Sequence, residues 1–98
     1  MARKEIVLLP QMQDYLTVMG EQIQKARLRR RLSLALAAER ADISVSTLRR
    51  VEKGDKNVSI GIYAQVLHAI AGMDKDLLLI AKDEKMEQAR KELNLSPW

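Results

Sequence analysis

Apolar residues recur along this chain at intervals of three and four. Between Met12 and Leu32 the positions Met12, Tyr15, Met19, Ile23 and Ala26 follow that spacing, which is the mark of an amphipathic helix. Pro10 suits its first turn, where an N–H has no intrahelical partner in any case. Gly20 has low helix propensity and is the expected place for a break into two helices. Three serines then punctuate the chain. Ser33 is a good N-cap for a short helix Leu34–Ala41, Ser44 for a helix Val45–Lys53, and Ser59 for a helix reaching about Ala71. Gly54 and Gly72 stand where the last two should end. Ala41-Asp42-Ile43 forms a tight turn between the two short helices, and 55–58 is a polar loop.

Further on the pattern is less decisive. Leu77–Ile80 are four consecutive apolar residues, which fit a short strand or a helix turn, and periodicity does not choose between them. Asp83–Leu93 reads as a charged helix with Met86, Ala89 and Leu93 on its apolar side, followed by a loose tail at 96–98. The run Ile6–Leu9 is a further strand candidate. The expected class is all-α, with five or six helices and room for a short strand at either end.

Composition removes several function classes. With 98 residues, one domain is the default, and a core this limited gains from dimerisation. The absence of cysteine excludes disulfides and thiolate metal sites. The single histidine, His68, builds no metal site without carboxylate help and is expected to be an exposed residue of the fourth helix. No metal or cofactor is expected. The apolar runs are too short for a membrane span or a signal peptide, so a cytoplasmic protein with no membrane partner is expected. No nucleophile–base arrangement and no glycine-rich phosphate loop is present, which argues against an enzyme.

The net charge of +4 is unevenly placed. From Gln24 to Lys53 nine basic residues face three acidic ones, for a local charge of +6. That segment holds the two short helices, and its charge points to a polyanionic partner such as nucleic acid. Two short helices joined by a three-residue turn make a helix-turn-helix. The arrangement needs a small residue where the helices cross (Ala38), and a residue tolerant of positive φ to start the turn (Asp42). It also needs an apolar residue in the turn (Ile43) and two apolar anchors on the second helix (Leu48 and Val51). All five positions are filled, and the outward positions of the second helix carry hydroxyls and guanidinium groups.

Residues 22–80 resemble the XRE, or Cro/C1 repressor, class of helix-turn-helix domains. The resemblance is carried by Ile23, Ala26 and Arg27, by SLALAAERADIS (33–44), by STLRRVEKG (46–54) and by the amphipathic helix that follows. Within that class the stretch RLRRRLSLALAAERADISVSTLRRVEKGDKNVSIGIYAQVL is most similar to HipB-type antitoxins, the DNA-binding partners of HipA-type kinase toxins. Asp42 stands where the class usually has Gly, and Leu34 where it usually has Gln. The resemblance implies a lambda-repressor-like fold. The expected organisation is an N-terminal extension at 1–21, the helix-turn-helix domain at 22–73, a dimerisation strand or helix turn at 74–82, and a charged helix with its tail at 83–98.

On such a fold the second helix of the motif enters the major groove with its N-terminal residues toward the bases. In this register Val45, Ser46 and Arg50 project toward base edges. An arginine there can bond guanine O6 and N7 with two parallel donors. Backbone contacts are expected from Ser33, the Leu34 amide, Ser44, Thr47, Arg49, Lys53, Asn57 and Ser59. Arg29, Arg30 and Arg31 spread around a helix and cannot all face DNA. The resemblance also implies an ion pair between Arg27 and Glu52, partly buried between the first core helix and the recognition helix.

One helix-turn-helix reads few base pairs, so a homodimer on a palindromic operator of double-stranded DNA is expected. Leu77, Leu78, Leu79 and Ile80 are the dimerisation candidates, with closure of the monomer core as the competing role. Trp98, the only tryptophan, is either part of the loose tail or an anchor for a partner protein. The leading expectation is a repressor of its own operon that binds a HipA-type kinase toxin. A stand-alone regulator of the same fold and a protein-interaction adaptor that has lost DNA binding are the alternatives.

Overall fold

The computed structural model describes residues 6–83. The charged helix expected from residue 83 onward, apart from Asp83 itself, and the Trp98 anchor lie outside the described residues. Among those described there are four α-helices, α1 (Pro10–Arg29), α2 (Leu34–Arg40), α3 (Val45–Glu52) and α4 (Ile60–Ala71), and a 3₁₀ helix (Asp74–Leu79). The fold is all-α. Residues 6–9 take no regular structure, so the strand considered there is absent.

Each of α2, α3 and α4 starts with the same device. The hydroxyls of Ser33, Ser44 and Ser59 accept the backbone N–H of Leu36, Thr47 and Ile62, each satisfying one of the donors that a helix start leaves open. The ends repeat as well. Beyond α1, α2 and α3 a residue takes positive φ: Arg31 at 55°, Asp42 at 56° and Gly54 at 72°. In each case its N–H bonds back three residues, and the next N–H bonds back five: Leu32 to Arg27, Ile43 to Ala38 and Asp55 to Arg50. These are Schellman closures. They fold each helix end back and bring the residue two past the cap beside the residue three before it. Only one of the three uses glycine, and the reason is space. A Cβ on Gly54 would fall on the backbone of Leu16.

The expected break at Gly20 does not occur. α1 runs unbroken through it, because Gly20 serves close packing and not termination. A Cβ there would stand 2.6 Å from the carbonyl oxygen of Glu52 and 2.7 Å from the nitrogen of Gly54. The two glycines let the middle of α1 lie directly against the end of α3. Gln13 reinforces the crossing by donating from Nε2 to the Gly54 carbonyl at 3.1 Å. The first turns of α1 therefore support the motif.

The core lies where the four helices meet. It is built from Ile23 and Ala26 of α1, Ala37, Ala38 and Ala41 around α2, Leu48 and Val51 of α3, and Tyr63, Val66 and Ile70 of α4, with Leu32 and Val58 from the loops. The three alanines keep α2 slim enough for α3 to cross it closely.

Leu77–Ile80 adopt the helix-turn alternative and not the strand. Gly72 reverses the chain at φ 62°, and i→i+3 bonds then run from Asp76 N–H to Met73 and from Ile80 N–H to Leu77. Leu77 is half-buried, whereas Leu78, Leu79 and Ile80 are exposed.

Candidate nucleic-acid interface

α3 is a two-faced helix. Leu48 and Val51 are completely buried, and Glu52 nearly so. Ser46, Arg49 and Arg50 are exposed on the other face, continued by exposed Lys53 beyond the helix end. The spacing that sends 48, 51 and 52 inward leaves 46, 49 and 50 outward, since successive residues of a helix turn by about 100°. Val45 is half-buried and packs against the core, so its access to a base is narrower than its register alone implies. Thr47 is half-buried too, its Oγ1 accepting the Ser44 hydroxyl at 2.9 Å. Leu34, the first residue of α2, is half-buried and packs on the core.

The turn before α3 has the expected geometry. Ala38 is 2% exposed, Asp42 takes positive φ, and Ile43 packs against the core. The amide of Gln65 on α4 reaches the Ala41 carbonyl at 3.4 Å and ties α4 to the turn.

Arg27 and Glu52 form a two-pronged pair. Nε donates to Oε2 at 2.7 Å and Nη2 to Oε1 at 3.1 Å. Nη1 donates to the Leu32 carbonyl at 2.9 Å. Their side chains are 7% and 5% exposed. The pair joins α1, the Schellman turn after it and the last residue of α3, so it sets how α3 sits on the domain.

Arg50 is not a solitary outward side chain. Its Nε donates to Oδ2 of Asp55 at 2.8 Å. The other oxygen, Oδ1, accepts the Asn57 N–H at 2.8 Å. The Asp55 backbone is held as well: its N–H bonds to the Arg50 carbonyl, and its carbonyl accepts the Tyr63 hydroxyl at 2.9 Å and the Val58 N–H at 3.4 Å. The bond from Arg50, followed by that from Asn57, holds the Asp55 carboxyl below the usual carboxylate range. Burial pushes the Tyr63 hydroxyl above its ordinary value of 10.0.

Asp55 was not among the residues singled out by sequence. A signal for it exists: with Gly54 closing a Schellman turn, Arg50 and Asp55 occupy the two positions that such a turn brings together. Gly20 and Gln13 gave no such signal, because their roles depend on a distant crossing.

At and just beyond the end of α1, Arg29 and Arg31 are exposed, and Arg30 donates from Nη1 to the Ala26 carbonyl at 3.0 Å. Asn57 and Ser59 lie on the loop that leads into α4. His68 is exposed and faces Asp74, with Nδ1 at 3.3 Å from Oδ1. Apolar grooves of about 250 and 260 Å³ share Met19, Leu67, Leu77 and Ile80 in their lining, and the second also reaches Asp55 and Lys56. No group of three or more potential metal-ligating side chains occurs among the described residues, and no described helix is long and apolar enough to cross a membrane.

The outward face of α3 thus carries a hydroxyl and two guanidinium groups on a short helix seated by its apolar side, with Lys53 continuing it beyond the helix end. No curated protein and no solved structure matches the chain. A family model described as a helix-turn-helix domain matches residues 18–78, well over half of the chain. That span takes in α2, the Asp42 turn and α3, together with the half of α1 and the α4 helix that hold them, and the protein therefore belongs to the helix-turn-helix domain family.

Proposed function

We propose that the chain is a sequence-specific repressor of transcription. In this reading it binds a palindromic operator as a homodimer in the bacterial cytoplasm, represses its own operon and serves as the antitoxin of a HipA-type kinase toxin. The observation that carries the DNA-binding part is the division of α3 into a fully buried apolar side and an exposed side bearing Ser46, Arg49 and Arg50. Arg50 reads a guanine, worth about 1–3 kcal/mol of discrimination. Ser46 contributes a weaker contact, and Val45 touches a thymine methyl with whatever part of it the core leaves free. Arg49, Lys53, Asn57 and the capped starts of α2, α3 and α4 hold phosphates.

The dimer is supported by the exposed Leu78, Leu79 and Ile80, an apolar cluster that self-association would cover. The toxin partnership rests on the resemblance of residues 27–67 to HipB-type antitoxins.

Two measurements test the reading. Fluorescence anisotropy with labelled duplex should show binding that weakens steeply with salt, the log–log slope falling by roughly 0.9 per phosphate contacted. A chain that binds no duplex even at low salt is an interaction adaptor, and the proposal fails. Affinity capture of the tagged chain from its native cell, with mass spectrometry, should return a stoichiometric kinase-like protein. A clean dimer carrying only DNA removes the antitoxin role and leaves a stand-alone regulator.

A further inference from the structure

We infer that Asp55 is a positioning residue for DNA readout, one that holds the Arg50 guanidinium in place before any base is met. The inference rests on the reading of Arg50 as a base-contacting residue. Bonds to both its backbone and its carboxylate make Asp55 a firm support. Oδ1 is held by the Asn57 N–H, the backbone carbonyl by the buried Tyr63 side chain, and the backbone N–H by the Arg50 carbonyl, so Oδ2 is left to engage Arg50 Nε. The guanidinium is planar and rigid. Once Nε is fixed by a carboxylate, the remaining torsional freedom of a long side chain is largely removed. The Nη1 and Nη2 donors stay available, and that pair can bond the O6 and N7 of a guanine edge in parallel.

Exposure fits the same role. The Arg50 side chain is 48% exposed and Asp55 26%. A pair this open adds little to stability, so its geometry is better accounted for by what it presents than by what it holds together. Pre-ordering lowers the entropy lost when a flexible side chain docks. A carboxylate beside the interface also repels phosphates, so its place next to the recognition helix fits a gain in selectivity and not in general affinity.

The test uses the full chain and a randomised duplex library, from which the wild type selects its preferred site. Binding to that site and to its single-base variants is then measured for wild type, Asp55→Asn, Asp55→Ser, Arg50→Ala and the Asp55→Asn/Arg50→Ala double variant. Serine keeps a short acceptor for the Asn57 N–H and cannot reach Arg50, so it serves if the asparagine variant folds poorly. Arg50→Ala should erase the preference at one base pair. Both Asp55 variants should lose roughly five- to tenfold of the preference at that same pair, bind unrelated duplex as well as or better than wild type, and add nothing once Arg50 is alanine. If Arg50→Ala erases the preference while both Asp55 variants keep it, Arg50 reads the base and Asp55 does not position it. If the Asp55 variants bind the selected site more tightly with preference intact, Asp55 withholds Arg50, and the inference is overturned. If Arg50→Ala leaves every preference intact, the base-reading assignment fails and the positioning role fails with it.

Discussion

Two arginine–carboxylate pairs meet at α3, and their shortest distances are nearly the same, 2.7 Å for Arg27–Glu52 and 2.8 Å for Arg50–Asp55. Their surroundings make them different objects. The first is sealed between α1 and α3, two-pronged, and completed by the Leu32 carbonyl. The second lies on the surface, attached through Nε, with half of the arginine in water. In the interior, removing one partner strands a charge where water cannot reach it. At the surface, water and salt replace the lost partner cheaply. The inner pair therefore fixes where α3 sits, and the outer pair bears on what α3 presents.

The largest effect should come from breaking the inner pair. Arg27→Ala or Glu52→Ala should cost about 3–5 kcal/mol in urea melts, because each leaves an uncompensated buried charge. Arg49→Ala, on the exposed side of the same helix, should stay within about 0.5 kcal/mol. Equal losses would mean that Arg27 and Glu52 are not sealed off in solution. Replacing both, Arg27→Met with Glu52→Leu, should recover most of the loss, since no charge is then stranded.

Next in size is the outer pair's effect on recognition. Arg50→Ala should remove about 1–3 kcal/mol of discrimination at one base pair and leave phosphate-driven affinity mostly in place. A uniform loss on all sequences would assign Arg50 to the backbone instead.

Smaller still is the outer pair's effect on folding. Asp55→Asn should change the stability by less than about 1 kcal/mol, and that difference should shrink as salt rises. It should also vanish in acid. The Asp55 carboxyl titrates below its ordinary value in the folded chain, so whatever it contributes is present above pH 3.8 and lost as pH falls through its lowered value.

The smallest effect belongs to Tyr63, whose hydroxyl supports Asp55 from the core side. Its pKa is raised by burial, so the unfolded chain ionises first. Stability from the neutral hydroxyl is complete below pH 10.0 and falls as pH rises through the folded value. Thermal melts of wild type should therefore decline faster than those of Tyr63→Phe in that range. Parallel curves would mean that the ring is more accessible than its burial implies.

Much of this architecture can be read from residue order, and the boundary of what can be read follows from distance along the chain. The serine caps, the positive-φ Asp42, the anchors Leu48 and Val51 and the outward Arg50 all belong to local rules. Capping, turn geometry and helical period act over at most a few residues, so the chain displays them directly. Even the Arg50–Asp55 contact is local in this sense, since the Schellman turn at Gly54 brings the two together. The ambiguous Leu77–Ile80 is a local case of another kind, for strand and helix turn are both compatible with four apolar residues. The reversal at Gly72 and the i→i+3 bonds that follow it decided the matter.

Gly20 shows where the order of residues is silent. Locally it is a weak point in a helix, and propensity alone places a break there. The break is absent because Gly20 meets the backbone of Glu52 and Gly54, more than thirty positions away. Val45 is similar: its helical position points outward, but the closeness of its neighbours turns part of it inward. Residue order by itself determined the helices, their caps, the turn and the charge that surrounds them, because each depends on neighbours a few bonds away. The tertiary structure alone decided the continuity of α1, the closeness of its contact with α3, and which arginine is sealed and which is left in water. Those depend on which surfaces meet when the helices pack.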